Sequence, residues 1–270
     1  MISLKRNTKL ELVEALGKRT RASSIYNPGQ TEDFKISRGK FSDFLTCPRC
    51  FYLDRVKGLA EPRTPGWTLN ETTDLLLKKE FDECRKHQKP HRLFAQYGLD
   101  HIVPFEHPAM DDWRDSLRKG LMARYKDSNI ILSGGVDDIW FDTKKECLIV
   151  VDYKSQANSK PVEPVSYLAS PYHEGYKVQM DFYNYLLDLM EFPIGDTSYF
   201  LVVNANRGAS GFHGVMEFEE TIVPYQHDIS WLDEQVQNMI DCMNSDKLPE
   251  SNTSCENCAH TKQRGHCEIK

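Results

Sequence analysis

The stretch that most constrains this 270-residue chain runs from Ile130 to Gln156, IILSGGVDDIWFDTKKECLIVVDYKSQ. Its first half reads as an extended strand, Asp142-Thr143-Lys144-Lys145 as a polar turn, and Cys147 to Val151 as the short apolar run of a buried strand. A two-stranded hairpin is the simplest arrangement. Its charges fall at unusual places, because Asp137 interrupts one apolar strand while Asp152 and Lys154 close the other. Alternation along a strand puts Asp152 and Lys154 on one face and points Tyr153 away. With Asp137 contributed by the neighbouring strand, three ionisable groups share one small volume. Carboxylates that close together repel unless a cation sits between them.

Mg²⁺ or Mn²⁺ suits that arrangement, since both are hard ions that take carboxylate and carbonyl oxygens and keep several waters. One such water can serve as a nucleophile while Lys154 helps stabilise the negative charge that builds on a phosphodiester. GGVDDIWFD followed by VVDYKSQ resembles the second and third motifs of the PD-(D/E)XK nuclease superfamily, in particular its RecB-like branch. The resemblance implies a restriction-endonuclease-like α/β core, a mixed central sheet flanked by helices, and hydrolysis of DNA. It also implies roles for single residues. Asp137 and Asp152 bind the metal, the carbonyl of Tyr153 completes the coordination, and Lys154 stabilises the attacking water and the transition state. Taken without the resemblance, D-x-K at a strand end also fits a solvated hairpin.

The formal net charge of −6 speaks against a protein that coats nucleic acid indiscriminately, although a local basic groove is compatible with an acidic total. No apolar run reaches the roughly 18 residues of a membrane span, and the N-terminal stretch lacks the apolar core of a secretory signal. A cytoplasmic protein without membrane contact is the expectation.

Residues 1–36 read as an N-terminal extension and 37–270 as a single domain. Ser37 is a candidate N-cap for a helix carrying Phe41, Phe44 and Leu45, which ends at Cys47-Pro48 because proline disfavours a helical residue before it. A second helix, NETTDLLLKKEFDECRKH, presents Leu75, Leu76, Leu77 and Phe81 as an apolar face. RecB-like members often carry a histidine on such a helix. No histidine sits at the expected place, and Asp74 and Glu80 are the nearest substitutes, each also readable as part of a solvated helical face. His87, His91 and His101 read as surface or DNA-facing residues. A helix is expected from Pro108 to about Tyr125, with Trp113, Leu117, Leu121 and Met122 inward and Arg114, Arg118, Lys119 and Arg124 on other faces.

Asn158 to Pro171 reads as a polar loop beside the hairpin. In the helix that follows, from Glu174 through Met190, Gln179 and Tyr183 lie one turn apart on one face. Q-x-x-x-Y after D-Y-K resembles the fourth motif of RecB-like nucleases, which implies that Gln179 orients the catalytic lysine or a metal-bound water and that Tyr183 contacts DNA. Thr197–Val203 and Gly214–Phe218 are expected strands, and an amphipathic helix is expected over about Asp228–Met243. Strands alternating with helices indicate an α/β core with a mixed sheet.

Eight cysteines in a cytoplasmic chain are not read as disulfides. Cys84, Cys147 and Cys242 are isolated and read as small buried or half-buried side chains. The other five lie near the two ends: Cys47 and Cys50 in one group, Cys255, Cys258 and Cys267 in the other. The second segment is polar and has little hydrophobic reason to fold without a metal. SRGKFSDFLTCPRCFYLDRVKGL resembles the N-terminal segment of iron–sulfur RecB-like nucleases, including CRISPR adaptation nucleases and the nuclease domain of AddB-type helicases. That resemblance implies a [4Fe–4S] cluster on Cys47, Cys255, Cys258 and Cys267, clasping the two ends of the chain around the core. The eight residues between Cys258 and Cys267 depart from that layout. The competing arrangement pairs Cys47-x-x-Cys50 with Cys255-x-x-Cys258 around structural Zn²⁺ and leaves Cys267 spare.

The expectation is thus a Mg²⁺- or Mn²⁺-dependent deoxyribonuclease, acting as an exonuclease in DNA repair, recombination or defence, with DNA and a helicase or other repair proteins as partners. The alternatives are a non-catalytic nucleic-acid-binding or helicase-associated module that keeps the fold, and a metal-clasped structural protein.

Overall fold

A computed structural model of the protein describes residues 4–62, 64 and 66–268. In chain order its strands and α-helices are β1 (Phe34–Ser37), α1 (Arg38–Thr46), α2 (Pro48–Arg55), α3 (Thr68–His87), β2 (Ile102–Pro104), α4 (Met110–Arg114), β3 (Leu121–Arg124), β4 (Ile130–Gly134), β5 (Asp138–Asp142), β6 (Cys147–Gln156), α5 (Pro164–Ala169), α6 (Glu174–Leu189), β7 (Thr197–Ala205), β8 (Phe218–Gln226), α7 (Leu232–Asn244) and α8 (Glu256–Glu268). They form two compact units. One comprises residues 1–66, 125–131 and 233–270, and the other residues 67–124 and 132–232. No helix among the described residues is long and apolar enough to cross a membrane.

In the first unit, the Ser37 hydroxyl accepts the Lys40 amide at 3.4 Å and starts α1. Pro48 ends that helix and opens α2, where its fixed φ and missing N–H cost nothing. Asp54 is buried among Arg19, Lys40 and Arg55. Burial by itself would raise its pKa, but hydrogen bonds from these three cations prevail and hold it at about 2. Residues 1–36, expected as an extension, contribute to this unit. Tyr26 is buried and its hydroxyl donates to Asn244 Oδ1 at 3.0 Å, while Tyr52 donates to the Ser245 carbonyl at 2.8 Å.

The second unit is built on a mixed five-stranded sheet in the order β2-β5-β6-β7-β8. β5 and β6 are antiparallel with Asp138 opposite Val151; β6 and β7 are parallel with Asp152 beside Phe200; β7 and β8 form an antiparallel pair. The parallel pair requires the long crossover that α5 and α6 provide. Alternation sorts β6 into two faces. Ile149, Val151 and Tyr153 join Leu77 and Phe81 of α3, Trp140, Leu201, Val203 and Ile222 in one core. The Phe81 and Trp140 rings stack at 5.3 Å, and burying a ring such as Phe81 contributes roughly 3 kcal/mol. Asp152 and Lys154 alternate to the other face, toward α6. That helix is fixed from below by Asp181, which accepts from the Tyr225 hydroxyl, the Asp228 amide and the Trp231 indole at 2.9–3.1 Å.

Several local expectations are corrected. The first half of the central stretch is two strands, β4 and β5, because the chain breaks at Gly135, where a Cβ would come within 2.5–2.7 Å of Ser116. The helix expected over Pro108–Tyr125 shrinks to α4 and gives way to β3. Asp115 ends it by accepting the Leu117 and Arg118 amides, and Gly120 adopts a φ of +80° that side chains disfavour. Leu117, expected inward, is 93 % exposed. The last strand begins at Phe218, where the expected one ended. A short helix, α5, stands in the expected loop, capped by the Glu163 carboxylate on the Val165 and Ser166 amides. His91 is buried and stacked on Phe81 at 4.1 Å, so it faces the core and not a ligand.

Candidate active site

The β5–β6 register that sets Asp138 opposite Val151 brings the preceding residue, Asp137, alongside Asp152. Asp137 Oδ2 accepts the Tyr153 amide at 2.9 Å, which ties the two strands together at the end of their ladder. Asp152 is fully buried, pairs with the Lys154 ammonium through Oδ2, and accepts from Gln179 Nε2 through Oδ1 at 2.6 Å. Lys154 Nζ also lies 4.6 Å above the Tyr176 ring, a cation–π contact that holds the ammonium over the carboxylate. The structure thus brings Asp137, Asp152, Lys154 and Gln179 into one site, at the junction of β5, β6 and α6. Tyr153, which lies between the two charged residues, turns to the opposite face, where its hydroxyl donates to the buried Asp138 at 2.8 Å.

Tyr183 was expected to touch DNA. It is 3 % exposed, and its hydroxyl accepts from Gln179 at 3.1 Å. Its place in α6 turns it into the packed interior, where it braces the Gln179 side chain.

The helix preceding the hairpin supplies a further acid. Asp74 of α3 is half-buried, and its Oδ1 is buried without a hydrogen-bond partner. Burial raises its pKa, the nearby Asp137 carboxylate raises it further, and the Lys78 ammonium opposes both. Lys78 Nζ stands 2.9 Å from Asp74 Oδ2 and 3.8 Å from Asp137 Oδ1. Glu80, the other candidate, is drawn away to His91 and Arg92. A helix-periodicity reading cannot separate the two acids, because both lie on a polar arc and only the position of the β5 end selects Asp74. Tyr176 and Lys78 carry no sequence signal that marks them in advance.

Three carboxylates, two of them (Asp74 and Asp152) with a buried oxygen outside any hydrogen bond, fit a hard divalent cation. The electrostatics agree. Burial raises the Asp152 pKa from 3.8 to about 7, with Lys154 opposing and Asp137 adding to the rise. A carboxyl whose folded pKa exceeds its unfolded value contributes stability that is present below about pH 4 and is lost as pH rises through about 7. A cation would compete with that proton. The gain in Tm on adding Mg²⁺ or Mn²⁺ is therefore expected to be larger at pH 8 than at pH 6, and to lose this pH dependence in Asp152→Asn. Equal gains at both pH values in the native protein would show that Asp152 is not where the cation binds.

A second group lies in the first unit. Cys47, Cys50, Cys255 and Cys258 place their sulfurs within 4.8 Å of one another. Such a four-cysteine group could hold an iron–sulfur cluster or zinc. Cys267, expected as one of the four ligands, is exposed and lies outside the group, and Cys50 stands in its place. The reason is local. The residues after Cys258 continue as helix α8, and a rise of about 1.5 Å per residue carries Cys267 more than two turns away. Burial would raise the Cys47 thiol, but hydrogen bonds from the Cys50 and Asn252 amides bring it down to about 7.

No curated protein matches the chain. Among solved structures, that of a candidate exonuclease from Eubacterium rectale is similar at 13 % identity with a TM-score of 0.40, covering 84 % of this chain and 87 % of that one. The model of the PD-(D/E)XK nuclease superfamily matches residues 65–263, which include α3, the whole five-stranded sheet and α6. The chain belongs to the PD-(D/E)XK nuclease superfamily.

Proposed function

We propose that the protein is a Mg²⁺- or Mn²⁺-dependent deoxyribonuclease of the RecB-like branch that works as an exonuclease. The observation that carries this reading is the fixing of Asp152 between Lys154 and Gln179, with Asp137 at its side, in a chain of a nuclease superfamily. Asp74, Asp137 and Asp152 would hold the cation, and the Tyr153 carbonyl would add a neutral oxygen. The metal supplies a Lewis acid and a water of lowered pKa. The chain's own residues do the rest. Gln179, braced by Tyr183, holds Asp152 Oδ1 in one orientation so that the carboxylate does not rotate away. Lys154, held over Asp152 and Tyr176, keeps a positive charge where an attacking water and a phosphoryl oxygen would meet. DNA is the proposed substrate, and repair, recombination or defence the proposed setting.

End-labelled single- and double-stranded DNA incubated with the purified protein tests this directly. Shortening of the labelled strand is expected with Mn²⁺ or Mg²⁺, and none with EDTA. DNA binding without shortening under any metal condition would remove the proposal.

A further inference from the structure

We infer that the four-cysteine group in the first unit binds a single tetrahedral metal ion, zinc, through Cys47, Cys50, Cys255 and Cys258, and that this ion docks α8 onto the start of α2. The spacing of the sulfurs carries the inference. Cys50 Sγ lies 3.4 Å from Cys258 Sγ and 3.6 Å from Cys255 Sγ, and Cys47 Sγ lies 3.8 Å from Cys258 Sγ. Four thiolates about 2.3 Å from one zinc stand about 3.8 Å apart, the edge of a regular tetrahedron. A cubane of four irons adds its own metal–metal edge to that separation and needs thiolates roughly 6 Å apart. The observed sulfurs leave room for one ion and not for four. They are also too far apart for disulfides, whose sulfurs approach to about 2.05 Å, and all four cysteines are free.

The local backbone points the same way. Each cysteine pair straddles the start of a helix: Cys47 is the N-cap of α2 with Cys50 in its first turn, and Cys255 directly precedes α8 with Cys258 in its first turn. Two similar loop-to-helix corners thus face each other and give two thiolates each, which is how paired C-x-x-C sites build a closed tetrahedral shell. α8 has no other strong reason to be held. None of its residues is buried, and a 13-residue helix is marginal on its own in water. The polar ties at this junction are Asn252 Nδ2 to the Thr46 carbonyl at 2.9 Å and Asn257 Nδ2 to Glu61 at 3.1 Å. An ion bridging the pairs closes a loop of more than 200 residues, since the bridged cysteines are 205 to 211 positions apart.

The test uses the full-length protein, expressed with both iron and zinc supplied and purified without oxygen, and does not depend on nuclease activity. Metal analysis is expected to give one zinc per chain, negligible iron and a colourless solution. Replacing the metal with Co²⁺ is expected to produce the intense visible bands of a tetrahedral tetrathiolate. Cys50→Ser is expected to lose at least tenfold in zinc affinity measured with a chromophoric chelator, whereas Cys267→Ser keeps native affinity. A brown protein with about four irons and acid-labile sulfide per chain would overturn the inference. So would loss of the metal in Cys267→Ser together with its retention in Cys50→Ser, or a folded protein with no metal at all. Should Cys50→Ser fail to fold, the metal count of native and Cys267→Ser protein still decides between one zinc and four irons.

Discussion

Asp152→Ala is expected to abolish metal-dependent cleavage, and Lys154→Met to lower kcat/KM by about a thousandfold or more, roughly 4 kcal/mol of transition-state stabilisation. The two losses have different origins. Asp152 is fully buried between Gln179 and Lys154, and truncation to Ala takes away the central carboxylate of the site. Lys154→Met keeps a chain of similar length against Tyr176 but removes the only formal charge it carries there, which isolates electrostatics from packing. The fold should survive both changes. Asp152 is destabilising when ionised without metal, so metal-free Asp152→Asn is expected to be at least as stable as the native protein at pH 8, a trade of stability for function. DNA-cleavage kinetics with Mn²⁺, alongside thermal unfolding of each variant, checks this. Native-like cleavage by either variant would remove the site assignment.

The second large effect is on stability and falls on the other face of β6. Asp138 is fully buried, held by Arg85, by Arg114 at 2.8 Å and by the Tyr153 hydroxyl at 2.8 Å. Arg85 also donates to the Phe105 carbonyl at 2.7 Å, and both arginines share Asp82. Removing one cation leaves a buried carboxylate short of its partners, so Arg85→Met is expected to cost about 3 kcal/mol in urea unfolding. Asp138→Asn in the same chain should recover part of that loss, because the uncompensated charge is then gone. The network also bears on the active site, since Tyr153 sits in sequence between Asp152 and Lys154 and is pinned at its hydroxyl. A cost below about 0.5 kcal/mol for Arg85→Met would mean that Arg114 and Tyr153 satisfy Asp138 unaided.

How much of this was legible beforehand depended on whether the signal was local. The alternation of Asp152, Tyr153 and Lys154 needs only the two-residue period of a strand, and the pairing of Gln179 with Tyr183 needs only one helical turn. Those relations appear in the folded protein as contacts. The α/β class followed from the alternation of strand and helix patterns, and a mixed sheet flanked by helices is what forms. The helix expected over Pro108–Tyr125 failed because an apolar residue every three or four positions does not register a glycine required by a close approach elsewhere. Gly120 would place a Cβ 2.7 Å from the Gly134 carbonyl oxygen, a constraint that exists only once β4 is in place. Asp74 and Glu80 could not be ranked for the same reason, and Tyr183 looked accessible because a sequence carries no measure of burial.

By itself the sequence determined the periodicities, the D-x-K corner at the end of β6, and two cysteine groups near the ends of the chain. Tertiary structure alone decided which groups converge. Strand register set Asp137 beside Asp152, and the position of α3 turned Asp74 toward them and left Glu80 outside. The continuation of α8 past Cys258 selected Cys50 over Cys267. The physical reason is common to all three. Backbone period fixes which side of an element a residue occupies, but ligand sets and carboxylate clusters are made between elements more than ten residues apart, and their distances are fixed only by packing.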